Sequence, residues 1–118
     1  MSSSSEMSRL HQERRRLVRL LTSTREMAVG SVARVHRKCG NPRCRCVAGP
    51  GHLQTLFLYK EGGKRRCKLI RRADEARILE AGKHYRKWRQ AWRRLRTVEN
   101  CQKQIWLAQM EKRAIKYK

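Results

Sequence analysis

Three cysteines and a histidine fall within fourteen residues of this chain: Cys39, Cys44, Cys46 and His52, spaced Cys-x4-Cys-x-Cys-x5-His. Thiolates and imidazoles are the donors that zinc gathers into a tetrahedron, provided the backbone can fold tightly around the ion. Gly40, Pro42, Gly49, Pro50 and Gly51 punctuate the same stretch and supply that freedom. The plain alternative is a set of reduced thiols in a basic loop. Four candidate ligands so close together among turn residues argue instead for a zinc knuckle, though the spacing is neither that of a two-Cys, two-His finger nor that of a CxxC ribbon. His52 is the first choice for the fourth ligand. Cys67, which the following strands could return to the knuckle, is second, and His36 is third. No Asp or Glu lies close enough in sequence to serve a metal-bound water as base, so a closed structural site is expected rather than a catalytic one.

The elements that must position this cluster can be read on either side of it. The 118 residues suffice for one small domain. Hydrophobic residues make up 39% and mean hydropathy is −0.87, so the core must be thin and a metal staple would help. Residues 1–5 read as a flexible tail and 6–28 as a helix, with Ser3 and Glu6 as a capping box. Met7, Leu10, Leu17 and Leu21 follow helical spacing, Arg14 interrupts their stripe, and Gly30 is a plausible stop. Residues 31–38 read as a strand that delivers the chain into the knuckle at 39–52. Residues 53–60, rich in branched and aromatic side chains, read as a second strand, and residues 65–71 as its return. Glu61-Gly62-Gly63-Lys64 joins these two as a tight hairpin, because such turns need positive φ. The sheet region as a whole spans 31–72.

Asp74 and Glu75 suit the positive end of a helix dipole and open a long helix over 73–118. Ile78, Ala81, Tyr85, Trp88, Trp92 and Leu95 step by three and four, a coiled-coil-like seam. Past Leu95 the register drifts, which predicts a bend, a stutter or a second helix near 97–102. The expected fold is therefore α+β: an N-terminal helix, a small three-stranded antiparallel sheet carrying the zinc knuckle, and a long basic C-terminal helix or bent helical pair, in one domain over 6–118.

The stretch from Gly30-Ser31-Val32 through Arg37-Lys38-Cys39-Gly40-Asn41-Pro42-Arg43-Cys44-Arg45-Cys46 resembles the signature of a small bacterial and archaeal family of unknown function. Its members carry Cys-Gly-x-Pro-x-Cys-x-Cys at the end of a strand, then a histidine-led aromatic strand, a Gly-Gly hairpin, a basic strand and a long helix. The resemblance covers roughly residues 10–100. It implies Cys39, Cys44, Cys46 and His52 as the corresponding ligand positions. Leu53-Gln54 departs from the family's usual Gly-Pro, and Cys67 stands where other members carry a small polar residue, which weakens it as a ligand. Such genes often neighbour transposases and other mobile-element genes, which implies by analogy a nucleic-acid transaction in that setting.

Lys and Arg total 31 against 9 Asp and Glu, for a formal charge of +22 and a pI near 11.3. The excess runs along the whole chain: +6 over residues 1–38, +8 over 39–72 and +8 over 73–118. Charge of this density repels itself unless a polyanion is present. Arginine dominates, and its planar fork suits phosphate. The expected nucleic-acid contacts are Arg15 and Arg16 of the first helix, Arg43 and Arg45 of the knuckle, and Lys64, Arg65, Arg66 and Lys68 of the hairpin. On the long helix they are Arg86, Lys87, Arg89, Arg93, Arg94 and Arg96. The interleaved Tyr85, Trp88 and Trp92 read as seam residues rather than stacking platforms. Neither DNA nor RNA is singled out, since no helix-turn-helix, RNP1 or GXXG pattern is present.

Enzymatic activity is not expected. The acids are scattered, no Gly-rich phosphate loop or H-x-E motif is present, and Cys101 and His84 would lie roughly 25 Å apart on a helix. The reading is a non-enzymatic, zinc-stabilised nucleic-acid-binding accessory protein in a mobile-element or ribonucleoprotein context. The alternative is a protein–protein adaptor that docks through Tyr85, Trp88, Trp92 and Leu95, or pairs with itself as a homodimer through the long helix. A role at acidic membranes is disfavoured by the lack of a lipid-inserting aromatic face. The apolar runs are too short for a transmembrane helix. The N-terminus lacks signal-peptide character, and the five cysteines are odd in number. These features point to a cytoplasmic location, nucleoid association included.

Overall fold

The computed structural model describes residues 3–118, Ser3 by its backbone alone. In chain order the elements are α1 (Ser3–Leu21), β1 (Ser31–Arg37), β2 (His52–Glu61), β3 (Lys64–Ile70) and α2 (Glu75–Arg113). Short 3-10 turns sit at Arg45–Ala48 and Arg72–Asp74. This is the expected α+β arrangement. The chain divides into two units, Arg25–Arg86 on one hand and the residues up to Thr24 with Lys87–Lys118 on the other. α2 contributes its first turns to the former and the rest to the latter.

In the Arg25–Arg86 unit the three strands form an antiparallel meander in the order β1-β2-β3. Ser31 pairs with Leu58 and Arg37 with His52, while Thr55 pairs with Ile70 and Glu61 with Lys64. Gly62 and Gly63 turn the hairpin with φ of +57° and +80°, the left-handed pair that a two-residue loop requires. β2 is the central strand and its branched and aromatic side chains suit a pleated, half-buried surface. Phe57 and Tyr59 stack on one face of it, with ring centroids 5.0 Å apart. Thr55, on the same face, is fully buried.

The start of α2 packs on β1 at Gly82, where a Cβ would lie 2.9 Å from Cγ2 of Val32. Gly82 is thus a point of close approach between helix and strand. The segment before β1 is fastened to the same helix. The Ala28 amide donates to the Ala81 carbonyl at 3.0 Å, and Arg77 grips both carboxylate oxygens of Glu26 at 2.7 and 2.8 Å. His84 Nδ1 lies 3.2 Å from the Glu26 carbonyl oxygen.

In the other unit α1 runs antiparallel to the later turns of α2. Trp88 donates its indole N–H to the Leu21 carbonyl at 3.2 Å, Arg94 holds Glu13, and Gln102 meets His11 and Arg14. The inward positions of α2 are Trp88, Ala91, Leu95, Val98, Gln102 and Ile105, which alternate by three and four without a break. Against them α1 sets Met7, Leu10, Arg14, Leu17 and Leu21 at the same alternation.

Four expectations change here. α2 is continuous over 39 residues, about 58 Å at the standard rise, with no break into a second helix at 97–102. The seam does not drift, because small Ala91 and polar Gln102 occupy inward positions that a count of large apolar residues passes over. Trp92 is not in the seam and stands 58% exposed. α1 ends at Leu21 rather than near 28, since Thr22-Ser23-Thr24 has poor helix propensity and Thr22 turns its hydroxyl back to the Val18 carbonyl at 2.9 Å. Residues 3–5, expected in a flexible tail, are helical, and Ser4 and Met7 share a surface cleft with Trp106. Residues 1–2 of that tail and the Ser3 side chain of the capping box lie outside the described residues.

Candidate metal centre and basic surfaces

The knuckle begins where β1 ends. Lys38 follows the last paired residue of β1 and Cys39 comes next, while His52 opens β2 opposite Arg37. The β1–β2 register therefore brings the two ends of the cluster together before any metal is considered. Between them the chain makes a turn with Pro42 at its second position. The Cys44 amide donates to the Asn41 carbonyl at 3.0 Å, and the Asn41 side-chain oxygen accepts from the Arg43 amide at 3.0 Å. Asparagine first and proline second are the residues this turn favours. The 3-10 turn at Arg45–Ala48 follows, and Lys38 Nζ donates to the Val47 carbonyl at 3.1 Å. Gly51, with φ of +100°, lets β2 start close by: a Cβ there would fall 2.5 Å from the Arg37 carbonyl carbon.

This folding places the Cys39, Cys44 and Cys46 sulfurs and a His52 ring nitrogen all within 4.8 Å of one another. Cys39 Sγ lies 3.5 Å from Cys46 Sγ, and Cys44 Sγ lies 3.2 Å from His52 Nε2. Donors at roughly 2.0–2.3 Å from a tetrahedral ion stand about 3.3–3.8 Å apart, close to the Cys39–Cys46 and Cys44–His52 separations, so the four residues could hold a metal ion. The Cys39 amide points at Cys46 Sγ, 3.4 Å away, the kind of N–H···S contact that steadies a ligating sulfur. Electrostatics lower the thiol pKa at two of the three positions. The Asn41 amide, then the neighbouring sulfurs, hold Cys39 below the usual thiol range, and the Cys46 amide does the same for Cys44. Cys46 moves the other way: the Cys39 amide pulls it down, but burial and the two adjacent sulfurs outweigh that pull. A cation at the centre would relieve this crowding of three sulfurs.

The other two ligand candidates stand elsewhere. Cys67 is exposed in the middle of β3, paired with Leu58, well along the sheet from the knuckle. His36 lies within β1, where Nδ1 sits 3.3 Å from the Gly51 carbonyl oxygen, and braces the loop from outside the cluster.

The basic residues singled out in the sequence are distributed as follows. Arg43 and Arg45 are exposed on the knuckle, and Lys64, Arg65, Arg66 and Lys68 are exposed along β3. Lys68 Nζ stands 6.0 Å from the centroid of the Tyr59 ring. Arg15 and Arg16 are exposed on α1, and Arg86, Lys87, Arg89, Arg93 and Arg96 are exposed on α2. Arg94 is drawn into the helix pair by Glu13, and Arg14, not among the candidates, is taken up by Glu99 and Gln102. Buried Gln102 was missed in the sequence. Its one signal is its place in the heptad-like alternation after Leu95 and Val98.

No helix among the described residues is long and apolar enough to cross a membrane. No curated protein and no solved structure matches the chain. Residues 7–80, more than half of the chain and inclusive of all four clustered ligands, match the model of a domain of unknown function, DUF6788, and the chain belongs to that family.

Proposed function

We propose that the protein is a non-enzymatic nucleic-acid-binding accessory factor whose knuckle is closed by zinc. Three thiols and an imidazole on a turn-rich loop are the donor set that suits zinc best among common cellular metals. The four ligands bring no acid with them, which suits a structural role.

One observation supports the nucleic-acid reading above the others. Among the described residues, acids meet Arg14, Arg71, Arg77, Arg94 and Lys116 in ion pairs. Lys64, Arg65, Arg66 and Lys68 of β3, and Arg86, Lys87, Arg89, Arg93 and Arg96 of α2, are exposed and form no such pair. Rows of exposed guanidinium and ammonium groups without acids are what a phosphate backbone neutralises, with release of its counterions. The mobile-element setting rests on the motif resemblance alone, and the ribonucleoprotein setting on the thin core and the long basic helix. The adaptor reading has less support, because Trp88 and Leu95 already face α1 within their own unit.

The test is a salt series of binding titrations with nuclease-treated protein against structured RNA, duplex DNA and single-stranded DNA. The reading expects a steep loss of affinity with salt, and near-abolition on changing Arg86, Lys87, Arg89 and Arg93 together to Glu. A shallow slope with equally weak binding to all three would sink it and direct attention to an acidic protein partner.

A further inference from the structure

Trp92 has no structural use for its outer ring face. It stacks on Trp88 with centroids 5.5 Å apart and planes 7° from parallel, so one face is covered, yet the residue remains 58% exposed. Trp88 is itself tied down through its indole N–H to the Leu21 carbonyl. The pair is a fixed two-ring stack with one open face. Arg89 lies one turn before Trp92 on α2 and Arg96 one turn after, both exposed and, among the described residues, without an ion pair. A large apolar ring left in water gains by covering its open face, and the flanking cations restrict what can cover it to something flat and anionic.

We infer that Trp92, backed by Trp88 and flanked by Arg89 and Arg96, is a stacking platform for an unpaired nucleobase, with the two arginines on the adjacent phosphates. The assignment rests on the nucleic-acid reading above and narrows it: the ligand includes single-stranded or bulged nucleic acid, since bases in a continuous duplex stack have no free face. Base–aromatic stacking tolerates any sequence because every base presents a π-face. The Trp88 contact fixes the ring in advance, so little side-chain freedom is lost on binding. Guanidinium groups within reach of base and phosphate add cation–π and charge terms.

The experiment compares the full chain with Trp92→Ala and Trp92→Phe. The probes are a mixed-sequence single-stranded oligonucleotide, an abasic oligomer of equal length, and a duplex. The expected result is a loss of about ten-fold or more on the single strand for Trp92→Ala. Trp92→Phe should keep most of the affinity, and the abasic oligomer should bind wild type and Trp92→Ala alike. Because each change removes the same contact, the losses should not add. Quenching of tryptophan emission by the single strand, but not by the abasic oligomer, should vanish in Trp92→Phe, which provides a readout even if the alanine variant folds poorly. Equal losses on all three probes, or none on any, would overturn the platform while leaving phosphate binding intact. Failure of the wild type to bind any of the three would overturn both readings together.

Discussion

Arg14 on α1 donates through Nη1 to the side-chain oxygen of Gln102 on α2 at 3.4 Å, across 88 positions of sequence. Gln102 is fully buried, and its Nε2 lies 3.3 Å from His11 Nδ1. A polar residue at an inward position of a helix pair fixes register at some cost in stability. Gln102→Ala should cost about 1–3 kcal/mol, because it leaves a void and removes the acceptor for Arg14. Gln102→Leu should be closer to wild type in stability, since Arg14 and His11 can turn to water, but should melt more broadly as the pair loses a buried register-setting contact. Denaturant unfolding of both variants, with midpoint and slope compared, checks the pair of outcomes.

Gly82 offers a case in which helix propensity gives the wrong sign. In an exposed helix interior, alanine for glycine stabilises by about 1 kcal/mol. Here the added Cβ would sit 2.9 Å from Val32 Cγ2 and 3.3 Å from its Cβ, on a short, branched side chain that cannot swing away. Gly82→Ala should therefore lower the melting temperature, and Val32→Ala in the same chain should restore part of the loss. Stabilisation by Gly82→Ala alone would contradict this packing.

Metal binding should be stoichiometric, with one zinc per reduced chain by atomic absorption. Cys44→Ser and Cys46→Ser should lose it, along with the ordered 39–52 loop, whereas Cys67→Ser and Cys101→Ser should retain it. Gly51→Ala leaves all four ligands in place but drives a methyl group into the Arg37 carbonyl and demands φ of +100° from an alanine. It should weaken zinc affinity in a chelator competition by a factor of ten or more.

The Glu13–Arg94 pair gives the helix pair a pH dependence of known sign. The Arg94 hydrogen bond, and secondarily its charge, hold Glu13 below the ordinary carboxylate value of 4.5 despite an opposing contribution from burial. The stabilisation is thus present in full above the ordinary value and is lost as pH falls through it toward the lowered one. Thermal melts between neutral and acidic pH should show a drop of a few degrees, modest because the Arg94 side chain is 53% exposed. Glu13→Gln should flatten that part of the curve, and an unchanged acid limb in the variant would assign the dependence to other carboxylates.

Much of the site was legible in sequence because its signals are local. The turn at Asn41–Cys44, the Gly62-Gly63 hairpin and the ligand spacing each occupy a few adjacent residues whose backbone demands are specific. His52 could be preferred over Cys67 by nearness alone, and the strand register made that nearness real in space. The helix pair was less legible because its pattern is carried by Ala91, Gln102 and Arg14, residues that hydropathy does not flag as inward. Trp92 reads as a seam residue for the converse reason: it is large and apolar at an allowed spacing, yet the face α1 covers passes through Ala91 instead.

β3 is an outer strand of an open three-stranded sheet, and six of its seven residues are exposed. A strand in that position invites pairing with a neighbouring molecule, and closely set positive charge is a common deterrent. Lys64, Arg65, Arg66 and Lys68 set such a row of charge along this edge. If a polyanion neutralises them, as the proposed function requires, that deterrent is removed. On that reading, crowded loading on a nucleic acid should bring chains together edge to edge and sparse loading should keep them apart, with the ratio of protein to polymer as the control on assembly.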